Sequence, residues 1–275
     1  MLRHHLSAAA AVLVAGSALP CFAGDEMPTL PSPPLPLAET KPSSSVSGSL
    51  SLDVNTHFIS YGADIWGGGN DFEDALFNPS LELAWDLGND FTFTLGTWWD
   101  INDKAVSSIG KNVQEVDVWA GISYGGGPVE ISLTYQEWMY AEESERIVDL
   151  GLGFDAPLSP SLTIHGRVDD GASGGDLGVV AVAGIELPSF SLGAVEFSLP
   201  VNVAFATDGF HGGDAGFAYA SAGVGASIPL AFMGDTMGSW ALNAGVTYYY
   251  TNSDVIPNNP DESFFTGNVG IGLSF

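Results

Sequence analysis

Beyond residue 45 the chain alternates apolar and polar residues in run after run. In "SLELAWDL", Leu81, Leu83, Trp85 and Leu87 share one face, while Glu82, Ala84 and Asp86 share the other. "FTFTLGTWWDI" sets Phe91, Phe93, Leu95, Thr97, Trp99 and Ile101 against Thr92, Thr94, Gly96, Trp98 and Asp100. "QEVDVWAGISY" sets Val116, Val118, Ala120, Ile122 and Tyr124 against Glu115, Asp117, Trp119, Gly121 and Ser123. "VEISLTYQ" does the same with Glu130, Ser132, Thr134 and Gln136 on its polar side. A period of two belongs to an extended strand with one apolar face. Such runs, bounded by Gly, Pro, Asn and Asp clusters, predict twelve strands. They fall at about 46–60, 77–87, 91–101, 113–124, 129–140, 146–156, 161–170, 177–187, 192–206, 216–228, 239–251 and 264–275.

The connections alternate too. Tight links such as "GND", "GGGP", "PLSP" and "PSFS" follow the even strands, with a longer "PLAFMGDTMG" after the tenth. Long polar links such as "GADIWGGGNDFEDA" and "NSDVIPNNPDES" follow most odd strands, and a short charged "AEESE" follows the fifth. Short turns at one end and long loops at the other predict an all-β, transmembrane, antiparallel up-and-down β-barrel of about twelve strands. A soluble sandwich would share the alternation but not the two kinds of loop. Aromatics near strand ends (Trp99, Tyr124, Tyr140, Trp240, Tyr248, Tyr250 and Phe275) suit an interfacial belt. Residues 216–234 are free of charge for long enough to imitate a membrane helix. Their Ala/Gly alternation fits a strand and turn better.

Composition sharpens this picture. Lys and Arg total 6 against 33 acidic residues, for a formal net charge of -27. So acidic a chain is a poor match for nucleic acid, whose phosphates call for Lys and Arg. The first 23 residues carry a basic start at Arg3, an apolar stretch and small residues near Ala23, which predicts a secretory signal peptide. Cys21 sits in a poor lipidation context, so ordinary cleavage after Ala23 is expected. Residues 24–45 form a Pro/Ser-rich periplasmic leader, and 46–275 form the barrel. The expected location is the bacterial outer membrane. The expected surroundings are its lipid and lipopolysaccharide.

With the apolar face outward, the polar face lines a lumen. The candidate pore-lining residues are Glu82, Asp86, Asp100, Glu115, Asp117, Glu130, Asp149, His165 and Arg167, with Asp53, His57, Asp155, Asp169, Glu186 and Glu196 on the same reading. An acidic lining favours cations. A narrow lumen plugged by its own polar side chains is an equal alternative. Trp66 and Phe210 in the loops would either dock a ligand or fold inward as a constriction. The acidic loops lack the spacing of a calcium loop, so no metal and no cofactor are expected. His57 with Asp53, or His165 with Asp169, are the pairs a membrane-embedded hydrolase would draw on, but no Gly-x-Ser-x-Gly elbow accompanies them. Catalysis is not expected.

Two stretches carry a family resemblance. "VSGSLSLDVNTHFISYG" resembles the first strand of the TorF-type porins. "QEVDVWAGISYGGGPVEISLTYQEWMY" resembles their central hairpin, with Glu115 and Asp117 ahead of Trp119, Ala120 and Gly121. The match spans about the first half of the barrel and departs from the family at "HFISYG". The resemblance implies an outer-membrane barrel presumed to be a porin, and brings no catalytic residues. Phe275 ends the chain on "GNVGIGLSF", whose Val269, Ile271, Leu273 and Phe275 are expected to face lipid. By resemblance, such a terminal aromatic is the signal read by the barrel-assembly machinery. The leading expectation is therefore a porin-like channel for small solutes, with a cation preference. A plugged structural or surface-binding barrel stands second.

Overall fold

The computed structural model describes residues 46–67, 72–234 and 236–275. The expected signal peptide (1–23) with Cys21, and the expected Pro/Ser-rich leader (24–45), lie outside the described residues. The chain forms twelve barrel strands and one small hairpin. In chain order they are β1 (Val46–Asn55), the hairpin strands β2 (Ile59–Ser60) and β3 (Ala63–Asp64), β4 (Leu76–Gly88), β5 (Phe91–Ile101), β6 (Val113–Tyr124), β7 (Val129–Met139), β8 (Ser144–Phe154), β9 (Ser161–Asp169), β10 (Gly178–Leu192), β11 (Val195–Ala206), β12 (Gly216–Pro229), β13 (Ser239–Thr251) and β14 (Ser263–Ser274). Every barrel strand pairs antiparallel with its neighbours, and β1 pairs with both β4 and β14, so the sheet closes. Closure leaves no unpaired edge, the condition a sheet must meet in lipid.

The predicted strands match these closely, with two departures. The first ends at Asn55 rather than near residue 60, because the residues that follow, from Thr56, turn into the barrel as the β2–β3 hairpin. The β10–β11 hairpin is longer than expected, reaching Leu192 through a register shift between Leu187 and Phe190. The charge-free stretch that imitates a helix is β12 followed by one 3-10 turn at Ala231–Met233.

The last residue helps to close the barrel. Gly48 N–H donates to Phe275 O at 2.8 Å, and Phe275 N–H donates to Gly48 O at 3.0 Å. The Phe275 ring lies over Gly48, where an added Cβ would stand 2.5 Å from Cζ. Val269, Ile271 and Phe275 are exposed on the outer wall as expected, but Leu273 is buried. It stands in register between Leu50 and Trp240 and beside Gly238, which cover it.

Aromatics gather on the outer wall in two girdles. At the short-turn end Trp85 meets Phe93, Phe91 meets Tyr124 and Phe190 stacks on Phe197. At the loop end Phe205, Phe217 and Tyr250 touch in series, and Tyr248 meets Phe265. On β13 the two levels are marked by Trp240 and Tyr250. Ten residues of a tilted strand between them span about 25 Å, the height of an apolar barrel band. Tyr140 is not part of this belt. It packs against the internal core, and its hydroxyl donates to Glu145 at 2.8 Å.

Candidate functional site

The inward faces carry the expected residues, because alternation leaves a strand no other choice once its apolar side faces out. Asp53, Glu82, Asp100, Glu115, Asp117, Glu130, Asp149, His165 and Arg167 all occupy inward positions. Asp86 is inward but stands exposed at the turn end, where it accepts from Gly88 N–H at 2.7 Å. Asp155 lies past the end of β8, in the turn. Asp169 corrects the sequence reading. A register shift opposite Arg146 and Ile147 leaves Val168 bulged, and Asp169 turns to the outer wall. There its carboxylate accepts from Arg146 Nη1 at 2.7 Å. Re-aiming a side chain is what a bulge does.

Towards the short turns, the larger inward side chains lie flat along the wall. Trp119 covers Gly96, Thr134 covers Gly121, Asn202 covers Gly184, Asn268 covers Gly245 and Asp53 covers Gly270. Each covering residue is the register partner of its glycine, on the next strand round the barrel. The glycines provide room for this sweep, since a Cβ at any of them would collide with its cover. Trp119 thereby reaches Glu82, donating from Nε1 to Oε2 at 2.8 Å.

Towards the loops the lumen is filled. Residues 56–66 fold inward around the β2–β3 hairpin, whose two-residue turn is Tyr61 and Gly62. Both have positive φ, 48° and 87°, the backbone of a tight turn of the type favoured in hairpins. Gly62 is required here, since any Cβ would strike the Tyr219 ring. Phe58, Ile59 and Tyr61 are buried against Trp98, Trp138, Phe210, Tyr219, Tyr249 and Ile256. Phe58 lies 5.0 Å from Trp98 between ring centroids. Tyr61 lies 5.6 Å from Trp138, 4.3 Å from His165 and 5.9 Å from Phe210. Burying one such side chain contributes about 1.5–3 kcal/mol.

Polar contacts tie the hairpin down. Trp66 Nε1 donates to Asp100 Oδ2 at 2.8 Å. Asp100 also accepts from Asn78 at 3.0 Å and Asn102 at 2.8 Å. On the far side, Asp64 N–H donates to Asn259 Oδ1, and Asn259 Nδ2 donates to Gly62 O, each at 2.8 Å. Trp66 and Phe210 therefore both fold inward. Asn259 was not picked out in the sequence: an Asn in "PNNPDES" looks like any loop Asn, and only its contact with a loop 195 residues away distinguishes it.

The histidines take other partners than the sequence suggested. His57 meets Thr56 Oγ1 at 2.8 Å and Asp64 at 3.9 Å, not Asp53. Burial lowers its pKa most, Asp64 opposes this, and Lys104 lowers it further. His165 Nδ1 meets Asp149 Oδ1 at 2.8 Å, not Asp169. Asp149 also accepts from Gln136 Nε2, and Gln136 Oε1 accepts from Trp138 Nε1 at 3.1 Å. His211, in the loop after β11, is pushed down to about 3, chiefly by burial and then by Arg167.

Arg167 organises two loops. Its Nε donates to Glu145 at 2.5 Å, and Nη1 donates to Phe210 O at 2.6 Å and Asp176 O at 3.1 Å. Its guanidinium carbon sits 3.8 Å above the Phe210 ring. Among the described residues no group of His, Cys, Asp and Glu side chains is placed to hold a metal ion.

No family model matches the chain, and no curated protein matches it. Among solved structures it is similar to the KdgM porin, with a TM-score of 0.44 at 10% identity over 83% of this chain and 99% of that one. It is similar to the translocator domain of the autotransporter NalP from Neisseria meningitidis, with a TM-score of 0.40 at 16% identity over 84% and 88%. It is also similar to outer membrane phospholipase A from Escherichia coli, with a TM-score of 0.38 at 11% identity over 82% and 92%.

Proposed function

We propose that the chain is a bacterial outer-membrane barrel of the porin kind, passing small cationic or neutral solutes through a lumen that the β2–β3 hairpin restricts at the loop end. The observation that carries this reading is the split of the wall. The outer surface is apolar between two aromatic girdles, while the inner surface is polar and acidic. Of the basic residues described (Lys104, Lys111, Arg146 and Arg167), only Arg167 occupies an inward strand position, and Glu145 already neutralises it. A low-dielectric wall lined with carboxylates favours cations. The TorF-type resemblance of β1 and of the β6–β7 hairpin points the same way.

The second reading, a non-conducting structural barrel, draws on the packed aromatic core at the loop end. Planar-bilayer recording under a salt gradient separates the two. The protein is compared with a variant whose residues 59–64 are replaced by glycine and serine. Larger steps in the variant, with a cation-selective reversal potential, support the channel. A folded variant that still never conducts leaves the structural barrel.

A further inference from the structure

The short-turn end of the barrel is not the same all round. On one side, Phe91 on β5 meets Tyr124 on β6 at the aromatic girdle. Just beyond this pair the chain turns through Asn89 and Asp90 between β4 and β5, and through Gly125, Gly126 and Gly127 between β6 and β7. The two turns are joined, since Gly125 N–H donates to Asp90 O at 3.0 Å. Neither carries a large apolar side chain, so the apolar wall stops at the girdle.

The β10–β11 and β12–β13 hairpins stand across the ring from these turns. They are neighbours, because β11 pairs with β12, with Glu196 opposite Ser227. Here the apolar wall runs on past the girdle. Phe190 stacks on Phe197, and Leu192 at the tip beyond them is 72% exposed. In the next hairpin, Leu230 N–H donates to Trp240 O at 2.8 Å, which fixes the level of the girdle. Past that level Phe232 is 82% exposed, Met237 is 70% exposed, and Met233 is exposed as well. The single turn at Ala231–Met233 buries no residue, so packing within the barrel does not account for its apolar side chains. A contiguous exposed apolar patch marks a surface that meets a membrane or another protein. This one continues the outer wall, and the segment from Leu230 to Gly238 has no basic residue. Its attraction is therefore apolar, as suits the boundary between zwitterionic headgroups and acyl chains.

We propose that Leu192, Phe232, Met233 and Met237 form a foot that enters the headgroup region of the periplasmic phospholipid leaflet, while the turns on the opposite side stay in water. The short turns of a bacterial barrel face the periplasm, which places the foot in that leaflet. The proposal rests on the reading that the barrel spans a bilayer, and not on conduction.

The test places one bimane-labelled cysteine at a time in the full chain, refolded into phosphatidylcholine vesicles. Cys21, the chain's own cysteine, is first replaced by serine. The labelled sites are Phe232→Cys on the foot, Gly127→Cys on the opposite turn and Leu133→Cys on the exposed outer wall. A Cβ at Gly127 meets nothing within 4 Å, so the turn accepts the change. Folding is checked by heat-modifiable gel migration. Quenching is read with lipids that carry a nitroxide either near the headgroup or deep in the acyl chain. The label at 232 is expected to lose emission, more to the shallow nitroxide than to the deep one. The label at 127 is expected to keep its emission, and the label at 133 to lose most to the deep nitroxide. An unquenched label at 232 beside a quenched one at 133 overturns the foot, assigns the patch to a protein partner and leaves the barrel in its bilayer. Equal quenching at 232 and 127 overturns the proposal too, since the two sides then do not differ. An unquenched label at 133 removes the membrane reading together with the foot. If Phe232→Cys does not fold, Met237→Cys takes its place. Failure of both to fold marks the turn as indispensable packing and overturns the proposal equally.

Discussion

The indole N–H of Trp66 donates to the Asp100 carboxylate at 2.8 Å, and so joins the first long loop to the barrel wall. Asp100 is fully buried and takes two further donors, Asn78 and Asn102. A hydrogen bond to a charged group contributes about 1.5–3 kcal/mol. Trp66→Phe is expected to loosen the hairpin without opening the sheet. Hydrogen exchange should speed up over residues 58–66 and stay unchanged in β6 and β7. Uniformly faster exchange would mean that the contact supports the whole barrel.

Trp119 lies across Gly96 to reach Glu82. Gly96→Ala should lift the indole off the wall and into the lumen. Overpacking of this kind costs about 1–3 kcal/mol. The checks are the urea midpoint and the tryptophan emission, which should shift to the red as the indole meets water. An unchanged spectrum would show that the wall yields instead.

Phe275→Ala removes the ring over Gly48 but keeps both backbone bonds to it. Refolding of purified protein in detergent should fall only slightly. If the terminal aromatic is also an assembly signal, the folded fraction in cells should fall much further. Equal losses in both settings would assign the ring a packing role alone.

The pH response of the loops follows from His211. Its pKa in the fold is about 3, lowered by burial and by Arg167, against an ordinary value of 6.5. The unfolded loop thus binds the proton more readily than the folded one. Above about pH 6.5 both forms are neutral and the folded loop has its full stability. As the pH falls from there towards about 3, that stability is lost. Burial also lowers His57, which adds in the same direction. Protection factors in residues 207–215, corrected for the intrinsic pH dependence of amide exchange, should fall on acidification, and His211→Asn should flatten the fall. A pH-independent loop in the native protein would contradict this.

Glu115 and Asp117 stand on one strand, opposite Asp100 and Trp98 respectively. Neutralising both by Glu115→Gln and Asp117→Asn should reduce the cation preference of the hairpin-replaced barrel. An unchanged reversal potential would place selectivity elsewhere in the lumen, with Glu82 and Glu130 next to be tested.

Alternation, with the turn residues that bound each run, determined the strands and their inward and outward faces, because a side-chain period of two leaves each strand a single choice of face, and the lengths of the links separated the two kinds of loop. Glu82, Glu115, Asp117, Asp149, His165 and Arg167 stand where that rule puts them. Asp169 does not, because one bulge reverses the rule locally, and "RVDDG" carries no mark of a bulge. Nor did the pattern tell an inward-folding loop from an outward one. "THFISYGADIW" has aromatics either way, and only their fit against Trp98, Trp138, Phe210 and Tyr219, drawn from strands and loops far apart in the chain, decides that they pack inside. Faces are local properties of a strand. The filling of the lumen is a property of side chains that meet only once the sheet has closed.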